Sequence, residues 1–441
     1  MLFGMFFGAG NLIFPVYMGQ QAGHNVWLAA AGFLVTGVGI PLLGVAALGI
    51  SRSDGLLEMS SRVGKPYGIF FTSLLYLTIG PFFAIPRCAS VSFTVGIEAL
   101  TNGKNQGLML ALFSLAFFAA ALFFSLRPGQ IMTWIGKILN PLFLCFLGIL
   151  VIRALTNPMG EISAIEPIGN YETKVFFQGF LEGYNTMDAL AGLAFGIVVV
   201  NVIRGLGVEK PENIAKSTVH AGVFSAILMA VIYLLVSVVG AQSRGRFNAA
   251  SNGGEALRVI SAHYFGNVGA VILAAIVTLA CLKTAVGLLT SCGETFAKMF
   301  PGRLTYRRWV IFFAIFSFLF ANLGLNTIIS YSVPFLMFLY PLAVTLILLT
   351  LFGKRFGNDR RVYVWVTALT AVAAIVDLLH ALPVAEDSFL LKIAAVGMRI
   401  LPFSDLGFGW VCPAILGLLI GLALHMGDKR KHTDGRTVTK N

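Results

Sequence analysis

Long apolar runs follow one another along almost the whole chain, and they constrain the fold more than any other feature of the sequence. Crossing the hydrocarbon core of a bilayer as a helix takes about 20 residues, and most of the runs approach or exceed that length. A window of about 19 residues separates twelve of them. They cover residues 1–18, 26–50, 67–98, 107–126, 131–155, 176–203, 217–240, 267–297, 308–323, 326–352, 362–382 and 409–426. The sequence therefore predicts an all-α membrane protein with about twelve transmembrane helices, numbered one to twelve in this order.

The composition and the distribution of charge agree with a membrane protein. Hydrophobic residues make up 57% of the 441 positions and charged residues only 11%, whereas soluble domains carry about 25% charged residues. If the amino terminus is cytoplasmic, most of the 31 lysines and arginines fall on inner loops and on the tail at 429–441. The positive-inside rule therefore places both termini in the cytoplasm. Topology accounts for the net charge of +12, so we expect no nucleic acid partner.

Several other function classes find little support in the sequence. The five cysteines lie in apolar runs without the spacing of a metal site, and the sequence contains no Walker-type glycine loop. An ion channel needs a continuous polar face, which none of the predicted helices has. The histidines fall near helix ends or in loops, where they give a membrane enzyme little basis. We therefore expect a protein that is not an enzyme and that carries no cofactor.

Two of the runs are interrupted by glycines and polar residues. The first contains 8-GAGN-11, and the sixth contains 182-EGYNTMDALAG-192. Each unpaired backbone group in hydrocarbon costs several kcal/mol, so non-helical backbone survives at membrane depth only where it lines a site or a cavity. The sequence thus predicts that helices one and six are discontinuous and that a ligand satisfies the backbone groups they expose.

A weak internal repeat relates helices one to five to helices six to ten. Helix five contains 138-ILNPLFL-144 and helix ten contains 338-FLYPLAV-344, with Leu-X-Pro-Leu placed alike in both. Chance is an alternative for the prolines, but the interruptions of helices one and six also correspond. An odd number of helices per repeat inverts the second copy, as in many secondary transporters. We predict a first repeat over 1–155, a second over 156–352, and helices eleven and twelve with a basic tail over 353–441.

Five stretches resemble one family, the bacterial branched-chain amino acid:cation symporters, or BrnQ-type carriers (the LIVCS family). They are 6-FFGAGNLIFP-15, 80-GPFFAIPRCASVSF-93, 178-QGFLEGYNTMDALAGLAFGIVVVN-201, 280-ACLKTAVGLLTSC-292 and 333-VPFLMFLYPLA-343. The resemblance implies the amino acid-polyamine-organocation superfamily, with a LeuT-type 5+5 inverted repeat in the bacterial cytoplasmic membrane. It also implies import of leucine, isoleucine and valine with Na⁺ or H⁺. Another small amino acid or a nucleobase is the alternative substrate.

The two interruptions supply candidate groups for a zwitterionic substrate. At the start of the outer half of helix one, exposed N–H groups present a positive dipole end to a carboxylate. The unwound part of helix six, from Gly183 to Asp188, offers carbonyls to an ammonium. For Asn11, an interhelical hydrogen bond that only holds the bundle together is the alternative. The predicted substrate-binding residues are Gly8, Gly10, Asn11, Gly183, Tyr184, Asn185 and Asp188.

The resemblance also implies a place for the coupling cation. In LeuT-type proteins a hydroxyl pair on helix eight faces helix-one carbonyls around a sodium ion, and the matching carbonyls here are those of Gly4 and Phe7. This chain departs from the pattern, because Lys283 precedes Thr284 where the family carries two hydroxyl residues. An ammonium there would take the volume and charge of the sodium ion, or carry a proton if burial lowers its pKa. Pairing of Lys283 with an acid such as Glu294 or Asp188 is the alternative.

Among the remaining intramembrane groups, Arg87 and Glu182 have two readings each. Arg87 either pairs with Asp188 as a gate or braces the scaffold, and Lys137 snorkels to the inner interface. Glu182 faces either the cavity or solvent. The apolar part of the site would come from a subset of Phe6, Phe7, Tyr76, Phe82, Phe83, Tyr184, Met187 and Phe195. The family also has a longer segment before the first interruption than the seven residues that precede Gly8, so we expect the start of the protein to lie upstream.

Overall fold

The computed structural model describes residues 3, 7–8, 10–51, 53, 55–98, 105–127, 130–205, 211–385 and 387–437. Within these residues the regular secondary structure is helical, without a strand. The α-helices are α1 (Gly10–Ala22), α2 (Val26–Leu34), α3 (Ile40–Ser51), α4 (Leu56–Ser60), α5 (Lys65–Leu77), α6 (Ala84–Gly96), α7 (Gln106–Leu126), α8 (Gln130–Thr156), α9 (Val175–Tyr184), α10 (Asp188–Gly205), α11 (Pro211–Ser243), α12 (Gly253–Met299), α13 (Tyr306–Ala321), α14 (Leu325–Phe352), α15 (Arg360–His380), α16 (Phe389–Ile400) and α17 (Val411–Thr437).

Most described residues of the predicted apolar runs fall on helices. By length and composition, seven helical segments of the described chain can cross a membrane, and α8 and α17 contain shorter apolar helices. The number is lower partly because the first two runs join in the segment Gly10–Ser51, which contains α1, α2 and α3 with a π-helical turn at Val35–Gly39 inside it. The runs at 131–155, 176–203, 308–323 and 409–426 fall on helices that are shorter, interrupted or described only in part.

Both predicted interruptions are present. Phe7 and Gly8 are not helical, and α1 begins at Gly10. In the sixth run α9 ends at Tyr184 and α10 begins at Asp188, so the chain leaves the helix for three residues. The prediction that helix six unwinds from Gly183 is wrong by two residues, because Gly183 and Tyr184 keep helical geometry.

Other helices are distorted at glycine and proline residues. Between α5 and α6, the π-helical segment Thr78–Phe82 contains Pro81 and a non-helical Gly80. Within α12, Gly266 has φ +62° and ψ −158°, which separates a short first helix from the long second one.

The chain forms two compact units, of which the first comprises residues 1–41, 76–191 and 221–332. In this unit α12 packs along α6, and α9 packs along α2. Helices α1 and α11 approach so closely that a Cβ on Gly19 would lie 1.9 Å from the Ser237 carbonyl oxygen, and a Cβ on Gly240 would lie 2.1 Å from that of Val16. Such backbone contact through glycine is typical of membrane helices.

The second unit comprises residues 42–75, 192–220 and 333–441. Here α15 packs against α17, and a Cβ on Gly417 would lie 2.6 Å from the Trp365 carbonyl oxygen. Asp359 precedes α15 and accepts hydrogen bonds from the Arg361 N–H at 2.9 Å and from His425 Nδ1 at 2.8 Å. This interaction fastens the beginning of α15 to α17. The division into residues 1–155, 156–352 and 353–441, which rests on the internal repeat, stays a prediction.

Candidate functional site

The interruption before α1 is closed by a side chain. The backbone N–H of Gly8 donates a 2.7 Å hydrogen bond to Asn11 Oδ1, and both residues are buried. The Phe7 N–H donates a 2.8 Å hydrogen bond to the Phe3 carbonyl. Because Asn11 lies in the first turn of α1, its side chain satisfies a donor that the missing helical turn leaves open.

The interruption between α9 and α10 is a tight turn. The N–H groups of Asn185, Thr186 and Met187 donate to the carbonyls three residues earlier. Met187 is buried and has φ +62°, which reverses the chain direction before α10. The carbonyls of Gly183 and Tyr184 therefore accept hydrogen bonds within the turn rather than standing open.

The beginning of α10 is capped by a hydroxyl. Thr186 Oγ1 donates to the Gly183 carbonyl at 2.9 Å and accepts from the Asp188 N–H at 3.3 Å. Asp188 is the acidic residue in the first turn of α10, where the helix dipole favours a negative charge. Its side chain is 2% exposed. A buried carboxylate is thus held at the end of the turn.

Asp188 is the centre of a buried hydrogen-bond cluster that joins three helices. Asn11 Nδ2 donates to Asp188 Oδ2 at 2.7 Å, and the Tyr233 hydroxyl donates to the same oxygen at 2.6 Å. Asn11 Nδ2 also contacts the Tyr233 hydroxyl. The side chain of Asn11 is therefore used for contacts between helices, as the alternative reading of this residue expects.

Arg87 lies beside both interruptions and is only 4% exposed. Its Nη1 donates a 2.8 Å hydrogen bond to the carbonyl of Asn185, and its Cζ lies 4.9 Å from the centre of the Phe14 ring. A Cβ on Gly10 would lie 3.0 Å from Nη2 of this arginine. The guanidinium group consequently touches the turn of helix six and the first residue of α1 at once.

The predicted cation-coupling residues are described only in part. A Cβ on Gly8 would lie 3.2 Å from Thr284 Oγ1, so α12 packs directly against the interruption of helix one. Phe7 is buried, with its ring centre 5.2 Å from that of Phe143. Lys283 is half-buried on α12. Gly4 lies outside the described residues.

Five of the seven predicted substrate-binding residues come together around these contacts. The other two, Gly183 and Tyr184, end α9, and a Cβ on Gly183 would lie 1.9 Å from Thr36 Oγ1. The side chain of Lys137 lies outside the described residues. The residues brought together are Gly8, Gly10, Asn11, Asn185 and Asp188.

Sequence reasoning missed Tyr233, which completes the buried cluster. Its signal is weak: a tyrosine lies well inside an apolar run, whereas tyrosines of membrane helices are enriched at the interfaces. It also missed Thr186 as the cap of α10 and Phe14 as the ring against Arg87. Neither side chain differs in type from others that only pack, so spacing alone does not single them out.

Comparison with known proteins gives a family for the whole chain. The family profile described as "Branched-chain amino acid transport protein" matches residues 1–427. The branched-chain amino acid permease BrnQ of Lactobacillus delbrueckii subsp. lactis is 53% identical over 94% of this chain and 92% of its own length. BrnQ of Bacillus subtilis is 41% identical over 96% and 95%. The branched-chain amino acid transport system 2 carrier protein of Pseudomonas aeruginosa is 40% identical over 96% and 94%.

Two solved structures of transporters share the fold. The inward-facing conformation of Mhp1 superposes with a TM-score of 0.59, over 98% of this chain and 90% of that one, at 15% identity. MhsT in complex with L-phenylalanine gives 0.56 over 95% and 97%, also at 15% identity. Both are LeuT-fold transporters. The predicted LeuT-type architecture with discontinuous helices one and six is confirmed.

Proposed function

The chain belongs to the branched-chain amino acid transport protein family, and from this we propose that it is a secondary transporter of leucine, isoleucine and valine. Its relatives at 36–53% identity carry the names of branched-chain amino acid permeases and carriers. The observation that carries the proposal is the meeting of two interrupted membrane helices at the 2.7 Å hydrogen bond between Asn11 and Asp188. Interrupted helices near the bilayer centre are where secondary transporters bind substrate.

The groups around the two interruptions suit a zwitterion with an apolar side chain. The region carries opposite charges on Arg87 and Asp188, both buried. Phe7, Tyr184 and Met187 lie in or next to the two interruptions, and their apolar side chains are buried. A methylene group in an apolar pocket is worth about 1–3 kcal/mol, so the three branched-chain amino acids compete for one site.

The coupling cation belongs near the contact between Gly8 and Thr284. If sodium drives transport, we expect it to bind beside Thr284 Oγ1, which would lie 3.2 Å from a Cβ on Gly8. An ammonium of Lys283 at that place would oppose a sodium ion, because it carries the same charge. We therefore propose that Lys283 supplies this charge itself and that a proton is the coupling ion. Import from the outside with both termini in the cytoplasm completes this proposal.

Uptake of radiolabelled leucine into proteoliposomes that contain the purified protein tests the function. We expect excess isoleucine or valine to abolish the uptake, and excess alanine or uracil to leave most of it. Competition by uracil but not by valine would identify a nucleobase carrier. Competition by alanine as strong as that by valine would identify a carrier for small amino acids.

A further inference from the structure

Arg87 is a charged group in the membrane that the coupling scheme does not use. A buried guanidinium is costly, and ionisable residues at such depth usually belong to a functional site. Its position is fixed from two sides, since Nη1 donates to the Asn185 carbonyl at 2.8 Å and Cζ lies 4.9 Å from the Phe14 ring centre. The side chain is thus oriented before any ligand binds, which lowers the ordering cost of binding one.

Room for the guanidinium depends on a glycine. Nη2 approaches within 3.0 Å of where a Cβ on Gly10 would be, and Gly10 is the first residue of α1. The positive end of the α1 dipole and the positive charge of Arg87 therefore act on the same volume. Both attract an anion and repel a cation there.

An amino acid has one group that fits this volume, its carboxylate. Arginine recognises carboxylates with two parallel N–H donors, and such charge-assisted hydrogen bonds are among the stronger ones in proteins. Asp188 lies at the other end of the Asn185–Met187 turn, three residues after the carbonyl that Arg87 binds. The two opposite charges give the site a polarity that matches a zwitterion in one orientation.

We propose that Arg87 binds the carboxylate of the transported amino acid, while Asp188 attracts its ammonium. The proposal rests on the proposed function and adds a specificity-determining residue to it. Arg87 then selects amino acids over the corresponding amino alcohols and amines. A guanidinium that only braces the scaffold has no such selectivity.

Leucine and leucinol, two ligands of the same shape, distinguish carboxylate binding by Arg87 from a purely structural role. Leucinol keeps the ammonium and the branched side chain of leucine but has a hydroxyl group in place of the carboxylate. The dissociation constant of each is measured from the ligand-induced rise in the unfolding temperature of the purified protein. In the wild type we expect leucine to bind about 10- to 100-fold more tightly than leucinol, as loss of hydrogen bonds to a charged group predicts.

The variant Arg87→Gln removes the charge and keeps a polar side chain. We expect this variant to bind leucine no more tightly than leucinol. Its dissociation constant for leucinol should stay within about twofold of the wild-type value. The matched control is Ser90→Ala on the same helix, whose hydroxyl donates to the Pro86 and Ala321 carbonyls at 3.2 and 3.0 Å. This variant should keep the preference for leucine.

The opposite results are equally clear. The proposal is overturned if Arg87→Gln keeps the wild-type ratio between the dissociation constants for leucinol and leucine, which includes an equal loss of affinity for both ligands. If that variant does not fold, Arg87→Lys takes its place, because lysine keeps the charge but lacks the two parallel N–H donors of the guanidinium. An unchanged ratio of the two dissociation constants in this variant overturns the proposal as well. A wild-type protein that binds leucine no better than leucinol overturns this inference alone, and one that binds no leucine overturns the proposed function.

Discussion

Asn11 and Asp188 are 177 positions apart in the chain, yet Asn11 Nδ2 donates a 2.7 Å hydrogen bond to Asp188 Oδ2. Asn11 also accepts the N–H of Gly8, so one amide side chain spans the gap in helix one and reaches the end of the gap in helix six. The two interruptions are therefore connected through two hydrogen bonds. The Tyr233 hydroxyl ties the same carboxylate to α11.

Replacing Asp188 separates its hydrogen bonds from its charge. The amide oxygen in Asp188→Asn can accept both hydrogen bonds, so we expect the free energy of unfolding to change by less than about 1 kcal/mol, while leucine uptake falls at least about tenfold. In Asp188→Ala the buried donors of Asn11 and Tyr233 lose their acceptor, which costs about 1–3 kcal/mol for each. Thermal unfolding and uptake are measured on the same preparations. Normal uptake by Asp188→Asn would refute a role for the charge.

Lys283 decides the coupling ion if its ammonium takes the place of sodium. We expect the wild type to accumulate leucine in sodium-free proteoliposomes under an inward proton gradient. In Lys283→Thr, a hydroxyl pair with Thr284 replaces the charge, and we expect accumulation only under an inward sodium gradient. The control is Lys392→Thr, at an exposed lysine on α16, which should behave as the wild type does. Strict sodium dependence of the wild type would contradict the prediction.

Gly240 permits the close packing of α11 on α1. A Cβ there would lie 2.1 Å from the Val16 carbonyl oxygen, so Gly240→Ala must push the two helices apart. We expect this substitution to lower the free energy of unfolding by about 1–3 kcal/mol. In Gly148→Ala, where nothing lies within 4 Å of the new methyl group, we expect no loss, because alanine favours a helix. Unfolding temperatures of the two variants in detergent test the difference.

The stability that Asp359 contributes depends on pH. The Arg361 N–H, with further hydrogen bonds from His425 and the Arg361 side chain, lowers the pKa of Asp359 to about 2, below about 3.9 for a free aspartate. Its charge therefore stabilises the fold above about pH 4, and this contribution disappears as the pH falls from there towards about 2. Asp359 lies just before the span Arg360–His380, so it titrates from the aqueous side.

Two variants of Asp359 test this dependence. Asp359→Asn keeps the cap of α15, so its difference in stability from the wild type reports the charge; we expect the difference to be constant from pH 8 to 5 and to shrink from pH 4 to 3. Asp359→Ala also loses the cap, which costs about a further 0.5–2 kcal/mol at every pH. Unfolding temperatures across this range are the measurement. A difference between Asp359→Asn and the wild type that grows on acidification would contradict the sign.

The helices and the places where two of them stop follow from local sequence. A run of apolar residues must form a helix in a bilayer because no water is there to satisfy the backbone, and glycines with polar neighbours mark where that rule is relaxed. These signals are local, so 8-GAGN-11 and the 182–192 stretch gave the interruptions directly. The end of α9 was misplaced by two residues because the turn keeps its own hydrogen bonds through Tyr184.

The partners of the polar side chains at these interruptions, in contrast, depend on how the helices pack. The sequence favours Asn11 as a ligand-binding residue, with an interhelical hydrogen bond as the alternative, and in the structure its side chain bonds to Asp188 and Tyr233 on other helices. Arg87 had two readings until its contacts with Asn185 and Phe14 placed the guanidinium between the interruptions. The physical reason is that the partner of a buried polar group depends on how helices distant in the chain are rotated and how closely they pack, which local composition does not record.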